Sequence, residues 1–209
     1  MELLKGVHYV EAYAGSAILA DQRLILVDAT VEADAKAIFA YLEKMKWKPK
    51  DIASIIITHT HPDHVMGLAA VKEKSGAKVA AHEADADYVA VTKPYPGPPG
   101  RQRHKPVAVD VRLKDGQRHE GFLVIHGPGH TPGSIALLDE SRSLLIAGDT
   151  MRTEGGLGPM DDQYNIDPRQ HRESMKKIAR HDFEALICGH GPPIKAGAGK
   201  QLKAVAAKV

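Results

Sequence analysis

The chain has 209 residues, of which 43% are hydrophobic and 26% are charged, a composition typical of a globular protein. Its 28 basic and 26 acidic residues are spread along the chain, so no basic stripe points to nucleic acid, and no nucleic-acid partner is expected. No apolar run approaches the roughly 20 residues of a membrane-spanning helix, so no membrane is expected either. We predict one domain over residues 1–209, located in the cytoplasm because Cys188 is the single cysteine and no leader-like segment begins the chain.

The first half of the chain predicts a meander of strands followed by alternating helices and strands. Predicted strands cover residues 7–13, 16–20, 23–28, 53–58 and 78–82, and predicted helices cover 32–45, 63–75 and 83–91. The second half predicts strands at 109–113, 122–126, 135–138, 144–147 and 185–188, and a helix at 168–180. Asp167 and Pro168 suit the N-cap and first turn of that helix. The order predicts an α/β protein made of two halves that face each other.

A cluster of metal-binding residue types follows the strand predicted at 53–58, in the run His59-Thr60-His61-Pro62-Asp63-His64. In an extended segment alternate side chains share a face, so His59 and His61 can point together. Imidazole and carboxylate groups are good ligands for Zn²⁺, Mn²⁺ and Fe²⁺, and an ion needs about three or four of them. Four ligands in one run could begin two metal sites.

Three later positions offer further ligands, each beside glycine and just after a predicted strand. They are His130 in Gly129-His130-Thr131-Pro132-Gly133, Asp149 in Ala147-Gly148-Asp149-Thr150 and His190 in Cys188-Gly189-His190-Gly191. Glycine lets a loop approach an ion closely, and strand ends commonly project polar side chains into a shared crevice. A His-x-His pair alone also occurs on solvated loops, but the whole set favours two adjacent metal sites.

The chain resembles the metallo-β-lactamase-fold hydrolase superfamily. The resemblance lies in four motifs in the same order: His59-Thr60-His61-Pro62-Asp63-His64, Pro128-Gly129-His130-Thr131-Pro132-Gly133-Ser134, Gly148-Asp149-Thr150 and Gly189-His190-Gly191. It implies a four-layer αβ/βα sandwich and two divalent metal ions, with zinc as first choice and iron or manganese as alternatives.

The same resemblance assigns roles to single residues. His59, His61 and His130 would hold one ion, Asp63, His64 and His190 would hold the other, and Asp149 would bridge the two. Asp28 matches an early acidic position that supports a ligand histidine from outside the coordination sphere. Asp63 would also act in catalysis, because its carboxylate can orient a metal-bridging hydroxide and pass on its proton.

The expected function is hydrolysis of an ester, thioester, lactone or phosphodiester bond in a small substrate, anionic substrates included. Within the superfamily the glyoxalase II-like branch is favoured, although too few residues follow His190 for the helical C-terminal domain of those enzymes. Arg152 stands where the lactonases place a tyrosine, which weakens that identity. An iron-dependent persulfide dioxygenase using His59, His130 and Asp149 is the first alternative. A non-catalytic metal-binding module is the second.

Two segments outside the motifs bear on the substrate. The Pro-rich segment 92–106 could be a lid whose Lys93, Arg101, Arg103 and Lys105 attract anions, or a surface loop or dimer contact, so a homodimer stays open. The Gly-rich segment 152–160 is the better candidate for shaping the pocket. His126 could support His130, whereas Cys188 is expected to be a small buried residue. The remaining histidines are expected to be structural or exposed: His8, His82, His104, His119, His171 and His181.

Overall fold

Two β-sheets are formed by the two halves of the chain in a computed structural model that describes residues 1–94 and 104–209. The first sheet has seven strands in sequence order: β1 (Glu2–Leu4), β2 (Val7–Val10), β3 (Ser16–Ala20), β4 (Leu24–Val27), β5 (Ile52–Ile57), β6 (Lys78–His82) and β7 (Val111–Leu113). The second sheet has the spatial order β12-β11-β10-β9-β8, with β8 (Arg118–His119), β9 (Phe122–His126), β10 (Ile135–Asp139), β11 (Leu144–Gly148) and β12 (Ala185–Cys188).

Six α-helices in the described ranges connect or flank these strands. They are α1 (Lys36–Lys44), α2 (Pro62–Val65), α3 (Leu68–Ser75), α4 (Glu83–Val89), α5 (Pro168–Ile178) and α6 (Ala198–Ala206). Strands β1 to β4 pair antiparallel and β4 to β7 pair parallel, while β11 and β12 form the parallel pair of the second sheet. The carboxyl ends of both parallel sets can therefore carry a shared site.

The strands bury both faces because the two sheets pack on each other and helices cover their outer sides. Leu24 and Leu26 of β4 join the cluster under α1 and α3, whereas Ile25 and Val27 join the cluster between the sheets. Strand β11 alternates in the same way, and α5 and α6 cover its outer face. The order of layers is helix, sheet, sheet, helix, which confirms the predicted four-layer αβ/βα sandwich.

Two predicted helices differ from the structure near the first sheet. The helix predicted at 63–75 is divided into α2 and α3, because the Gly67 N–H bonds to the carbonyl of Ala29, 3.1 Å away, instead of continuing the helical ladder. The helix predicted from residue 32 begins only at Lys36, since buried Ala35 adopts a left-handed backbone with φ of 52°. At α5 the predicted cap is confirmed, because the Asp167 side chain accepts a hydrogen bond from Gln170 N.

Two short strands and one α-helix of the structure are absent from the sequence-based prediction. Strands β1 and β8 have three and two residues, too few for a periodic signal. Helix α6 is rich in Ala and Lys, and it buries Ala198, Leu202 and Ala206 on one face. No helix in the part of the chain that the structure describes is long and apolar enough to cross a bilayer.

Candidate metal centre

All seven sequence-predicted ligands converge at one edge of the two sheets. The loop after β5 carries His59 and His61, the following helix α2 carries Asp63 and His64, and the loop after β9 carries His130. Asp149 directly follows β11, and His190 lies two residues after β12. Because β11 and β12 are adjacent parallel strands, Asp149 and His190 leave the sheet side by side. A backbone hydrogen bond of 3.0 Å from Ile135 N to Thr58 O holds the two sheets together beside the site.

The described residues contain two groups whose ligand atoms are close enough to share a cation. One group is His59, His61, His130 and Asp149, and the other is Asp63, His64, His190 and Asp149. Within each group the ligand atoms all lie within 4.8 Å of one another. Asp149 belongs to both groups. The two groups have the same members as the two ligand sets that the resemblance implied.

Asp149 lies at the middle of the cluster with a histidine on each side. Its Oδ2 lies 3.3 Å from His130 Nε2 and 3.3 Å from His190 Nε2. Its Oδ1 lies 3.3 Å from His64 Nε2. Asp63 Oδ2 lies 3.2 Å from His190 Nε2 at the outer side of the second group. The carboxylate of Asp149 thus faces ligands of both groups, Oδ2 lying near one histidine of each group and Oδ1 near a second histidine of the second group.

The cluster contains polar atoms that the protein itself does not satisfy. Within residues 1–94 and 104–209, buried atoms without a hydrogen-bond partner include the Nε2 atoms of His59, His64 and His130 and Oδ1 of Asp149. Leaving a buried polar group unpaired costs about 1–3 kcal/mol, so four in one place call for a ligand. Imidazole nitrogens and a carboxylate form the donor set that divalent transition ions prefer. These residues therefore fit a divalent metal ion.

Asp28 fixes two of these imidazoles from behind. Its Oδ2 accepts hydrogen bonds from His64 Nδ1 at 2.8 Å and from Thr58 Oγ1 at 2.7 Å. Because the Thr58 hydroxyl proton is used on Asp28, its oxygen can accept from His59 Nδ1, 3.1 Å away. Both histidines therefore carry a proton on Nδ1 and turn Nε2 toward the cluster. Asp28 thus contacts His64 in the way that the resemblance implied.

Gly189 makes room for this arrangement. A Cβ atom on Gly189 would lie 2.2 Å from Asp149 Oδ1 and 2.6 Å from His64 Cε1. Any larger residue would displace the side chain that both groups share. The glycine beside His190 is therefore needed for close approach, as the sequence predicted.

Burial and hydrogen bonds to carboxylates shift the pKa values of these imidazoles in opposite directions. Burial lowers the pKa of His61 to about 3, and burial also holds the pKa of His59 well below its usual value. Hydrogen bonds to Asp149 and Asp63 raise the pKa of His190 to about 10. His59 and His61 are thus neutral at physiological pH, the state that coordinates a metal. His190 lies beside two carboxylates, and their negative charge stabilises a proton on its ring.

Three supporting residues were not found from the sequence. Asn165 Oδ1 lies 3.0 Å from His130 Nδ1, and His171 is fully buried behind His130 with its Nε2 accepting from Met160 N at 3.1 Å. Asp85 is fully buried between the two loops that carry His59 and His130. No motif marks these residues, because their partners are distant in sequence.

The other histidines lie outside the two ligand groups, and most of those expected to be structural or exposed are buried. His8, His82, His104 and His171 are buried. His126 does not contact His130: its Nε2 lies 2.9 Å from Pro132 O, and its ring stacks on His82 with centroids 3.8 Å apart. Cys188 is buried in the core beneath α5 and α6, as predicted.

Of the two segments expected to bear on the substrate, the Pro-rich one is only partly described and the Gly-rich one is described in full. Of the segment 92–106, Arg101 and Arg103 lie outside the described residues, and Lys93 pairs with Asp87 at 3.0 Å. The Gly-rich segment 152–160 packs on the backbone of the second ligand group, where Thr153 N donates to His190 O at 2.9 Å. This contact fits a role for the Gly-rich segment in shaping the site.

Comparison with known proteins finds related sequences and structures. The family model described as the metallo-beta-lactamase superfamily matches residues 12–190. A hydroxyacylglutathione hydrolase of Cereibacter sphaeroides is 31% identical over 162 residues, which make up 75% of this chain and 54% of that protein. The chain thus spans about half the length of that relative.

Two further proteins match over more of their own length. The uncharacterized protein YobT of Bacillus subtilis is 30% identical over 202 residues, covering 88% of this chain and 85% of that protein. Among solved structures, a metallo-beta-lactamase of Cronobacter sakazakii superposes with a TM-score of 0.76 at 28% identity, covering 91% of this chain and 77% of that one.

Proposed function

The chain belongs to the metallo-beta-lactamase superfamily, and from that premise we propose that it is a dinuclear metal-dependent hydrolase. Its proposed substrate is a small ester, thioester, lactone or phosphodiester. The observation that carries the proposal is the set of unpartnered ligand atoms of His59, His64, His130 and Asp149, buried in two groups that share one carboxylate. A thioester is the first substrate to test, because one relative is named hydroxyacylglutathione hydrolase.

The proposed centre divides the seven ligands between two ions. The first ion would take His59, His61 and His130, the second would take Asp63, His64 and His190, and Asp149 would serve both. Zinc is the first choice because imidazole and carboxylate ligands suit it, with iron and manganese as alternatives. When bound, such ions polarise the scissile carbonyl or phosphoryl group and acidify a water nucleophile.

Asp63 is the proposed catalytic residue of the chain itself. Its side chain is 20% exposed, whereas that of Asp149 is only 2% exposed, so Asp63 is the carboxylate of the cluster that solvent reaches. Burial opposes its ionisation, but the hydrogen bond from His190 and the nearby His64 together outweigh burial and lower the pKa of Asp63. An ionised carboxylate at the open side of the cluster can orient a nucleophilic water and pass its proton to solvent.

The binding partners, the cellular location and the oligomeric state stay predictions. We propose a small-molecule substrate and no nucleic acid partner, because the chain has no basic stripe and its net charge is +2. A cytoplasmic location rests on the single cysteine, which is buried. A homodimer remains open.

The experiment that tests the function is a substrate panel on protein of known metal content. We expect turnover of at least one activated thioester, ester, lactone or phosphodiester that requires metal. His59→Ala and Asp149→Ala should each reduce kcat/KM at least 100-fold, because each removes a ligand. His181→Ala is the matched control, since it removes a histidine outside the cluster, and it should keep wild-type activity.

Two outcomes would contradict the proposal. No metal-dependent turnover across the panel would support a non-catalytic metal-binding module. One iron per chain together with oxygen uptake on glutathione persulfide would support the dioxygenase instead. Metal analysis and an oxygen electrode distinguish these cases.

A further inference from the structure

Asp85 is a buried carboxylate that touches no ligand side chain and yet joins two loops that carry ligands. It lies in α4 and is 0% exposed. A buried carboxylate is costly unless hydrogen-bond donors surround it. The donors around Asp85 come from the loop after β5 and the loop after β9, not from its own helix.

Three donors converge on the two oxygens of this carboxylate. Oδ2 accepts from Thr60 N at 2.9 Å and from Thr131 Oγ1 at 2.7 Å, and Oδ1 accepts from Gly133 N at 2.7 Å. Thr60 is the residue between His59 and His61, and Thr131 directly follows His130. Asp85 therefore links the backbones that present all three histidines of the first ligand group.

The loop after β9 packs closely against the start of α4. A Cβ on Gly133 would lie 2.5 Å from Asp85 N and 2.6 Å from Asp85 Cβ, so the loop rests directly on the helix. Ser134 Oγ accepts from Thr131 N at 3.0 Å, which fixes the turn after His130 from its other side. A shift of Asp85 must therefore be transmitted to the loop that bears His130.

We propose that Asp85 is a positioning residue for the first ligand group, setting the distance between the loop of His59 and His61 and the loop of His130. The inference rests on the proposed metal centre and adds a residue that holds no metal itself. Charge-assisted hydrogen bonds are short and directional, so one carboxylate can set the spacing of two loops. Residues that orient metal ligands typically change metal affinity 10- to 100-fold when they are replaced.

The main test is Asp85→Asn, which keeps the shape of the side chain. An amide has one acceptor oxygen and an NH2 group, so either the Thr60 N–H or the Gly133 N–H meets a donor instead of an acceptor. We expect the dissociation constant of the tightest Zn²⁺ site to rise about 10- to 100-fold. Competition with a chromophoric chelator on the full, metal-stripped chain measures this constant. The absorption spectrum of the Co²⁺-loaded chain should change as well, because ligand geometry sets it.

Asp139→Asn is the matched control for a purely structural effect. Asp139 is also a buried carboxylate with three donors, from Ser141 Oγ, Arg142 N and Arg142 Nη1. It lies at the far end of β10, where it pairs with Leu144, away from the ligand loops. Both variants should lower the unfolding midpoint, but only Asp85→Asn should weaken Zn²⁺ binding.

A milder variant covers the case in which Asp85→Asn does not fold. Thr131→Val removes the hydroxyl that bonds to Asp85 Oδ2 and to Ser134 Oγ, and leaves the bonds from Thr60 N and Gly133 N in place. Loss of the bond to Asp85, about 1 kcal/mol, predicts at least roughly fivefold weaker Zn²⁺ binding. Unchanged Zn²⁺ affinity in Thr131→Val, or in a folded Asp85→Asn, overturns the inference, as does equal weakening in Asp139→Asn.

Zn²⁺ binding and hydrolysis of substrates are measured separately, so the hydrolase proposal and the role of Asp85 can fail separately. If the wild-type chain binds Zn²⁺ but hydrolyses nothing, the proposed activity is wrong and the role of Asp85 is still measured by affinity. If the wild-type chain binds no Zn²⁺, the metal centre and this inference are both wrong.

Discussion

The tautomer of His130 is fixed by one side-chain amide. Asn165 Nδ2 lies 3.2 Å from Met160 O and 3.3 Å from Asp161 O, so its NH2 group donates to these two carbonyls. Its Oδ1 must then face His130 Nδ1, which donates across 3.0 Å. His130 consequently keeps its lone pair on Nε2, the atom 3.3 Å from Asp149.

Replacing Asn165 should weaken metal binding without removing a ligand. In Asn165→Leu the acceptor is lost and His130 can adopt the other tautomer or rotate, so we expect Zn²⁺ affinity to fall about tenfold. Asn165→Asp keeps an acceptor for His130 Nδ1 and should stay closer to the wild-type affinity. A chelator-competition titration measures both variants. Equal affinities for Asn165→Leu and wild type would show that the ring is held by its packing alone.

Residue roles could be predicted from sequence where short motifs carry them. His59 to His64 and the glycine-flanked His130, Asp149 and His190 are recognisable because ligand types and glycines stand next to each other in the chain. Asn165 and Asp85 give no such signal: their partners His130 and Thr131 lie 35 and 46 residues away. Their contacts exist only once the loops have packed.

Helix α4 begins on a histidine that is stacked on a second histidine. His82 is the N-cap, and its Nδ1 accepts from Ala84 N at 3.3 Å. Its ring lies parallel to that of His126, with centroids 3.8 Å apart. Burial, followed by the nearby His126, lowers the pKa of His82 to about 4. The start of the helix that carries Asp85 is therefore sensitive to acid.

The stability of the fold should fall between pH 6.5 and pH 4 in part because of His82. The unfolded chain takes up this proton near the ordinary pKa of 6.5, whereas the folded chain resists it until about pH 4, so acid favours unfolding. His82→Asn keeps a capping acceptor and removes the titration. Urea unfolding should show the variant losing about 2 kcal/mol less than wild type over this interval. Parallel pH curves for the two proteins would contradict this assignment.

Element order could be predicted far better than element ends. The buried strands β5, β9 and β11 carry continuous apolar runs, and the cap at Asp167 marks α5. The break between α2 and α3 depends on the Gly67 bond to Ala29, and the late start of α1 depends on the backbone of Ala35. Both are tertiary effects that a local pattern does not contain.

Both halves of the chain supply ligands to the candidate metal centre. The first half contributes the run from His59 to His64, and the second half contributes His130, Asp149 and His190. Each of the two ligand groups draws on both halves. The centre therefore belongs to the packed sandwich and to neither sheet alone.

Metal removal should lower the stability of the entire fold. Free Zn²⁺ at 100 times its dissociation constant stabilises the folded state by about 2.7 kcal/mol, which corresponds to an unfolding midpoint about 5–10 °C higher. We expect that difference between Zn²⁺-loaded and chelator-treated wild type in thermal unfolding. Asp149→Ala should show little change on chelation. A chelation effect of equal size in Asp149→Ala would place the stabilising ion elsewhere.

The division of ligands between the halves also constrains the order of events during folding. A partly folded chain in which only the first sheet has formed has half of each ligand group, and so does a chain with only the second sheet. Folding intermediates with one half formed are common in chains of this length. Tight zinc uptake must therefore follow docking of the two sheets, and its rate in refolding would report that last assembly step directly.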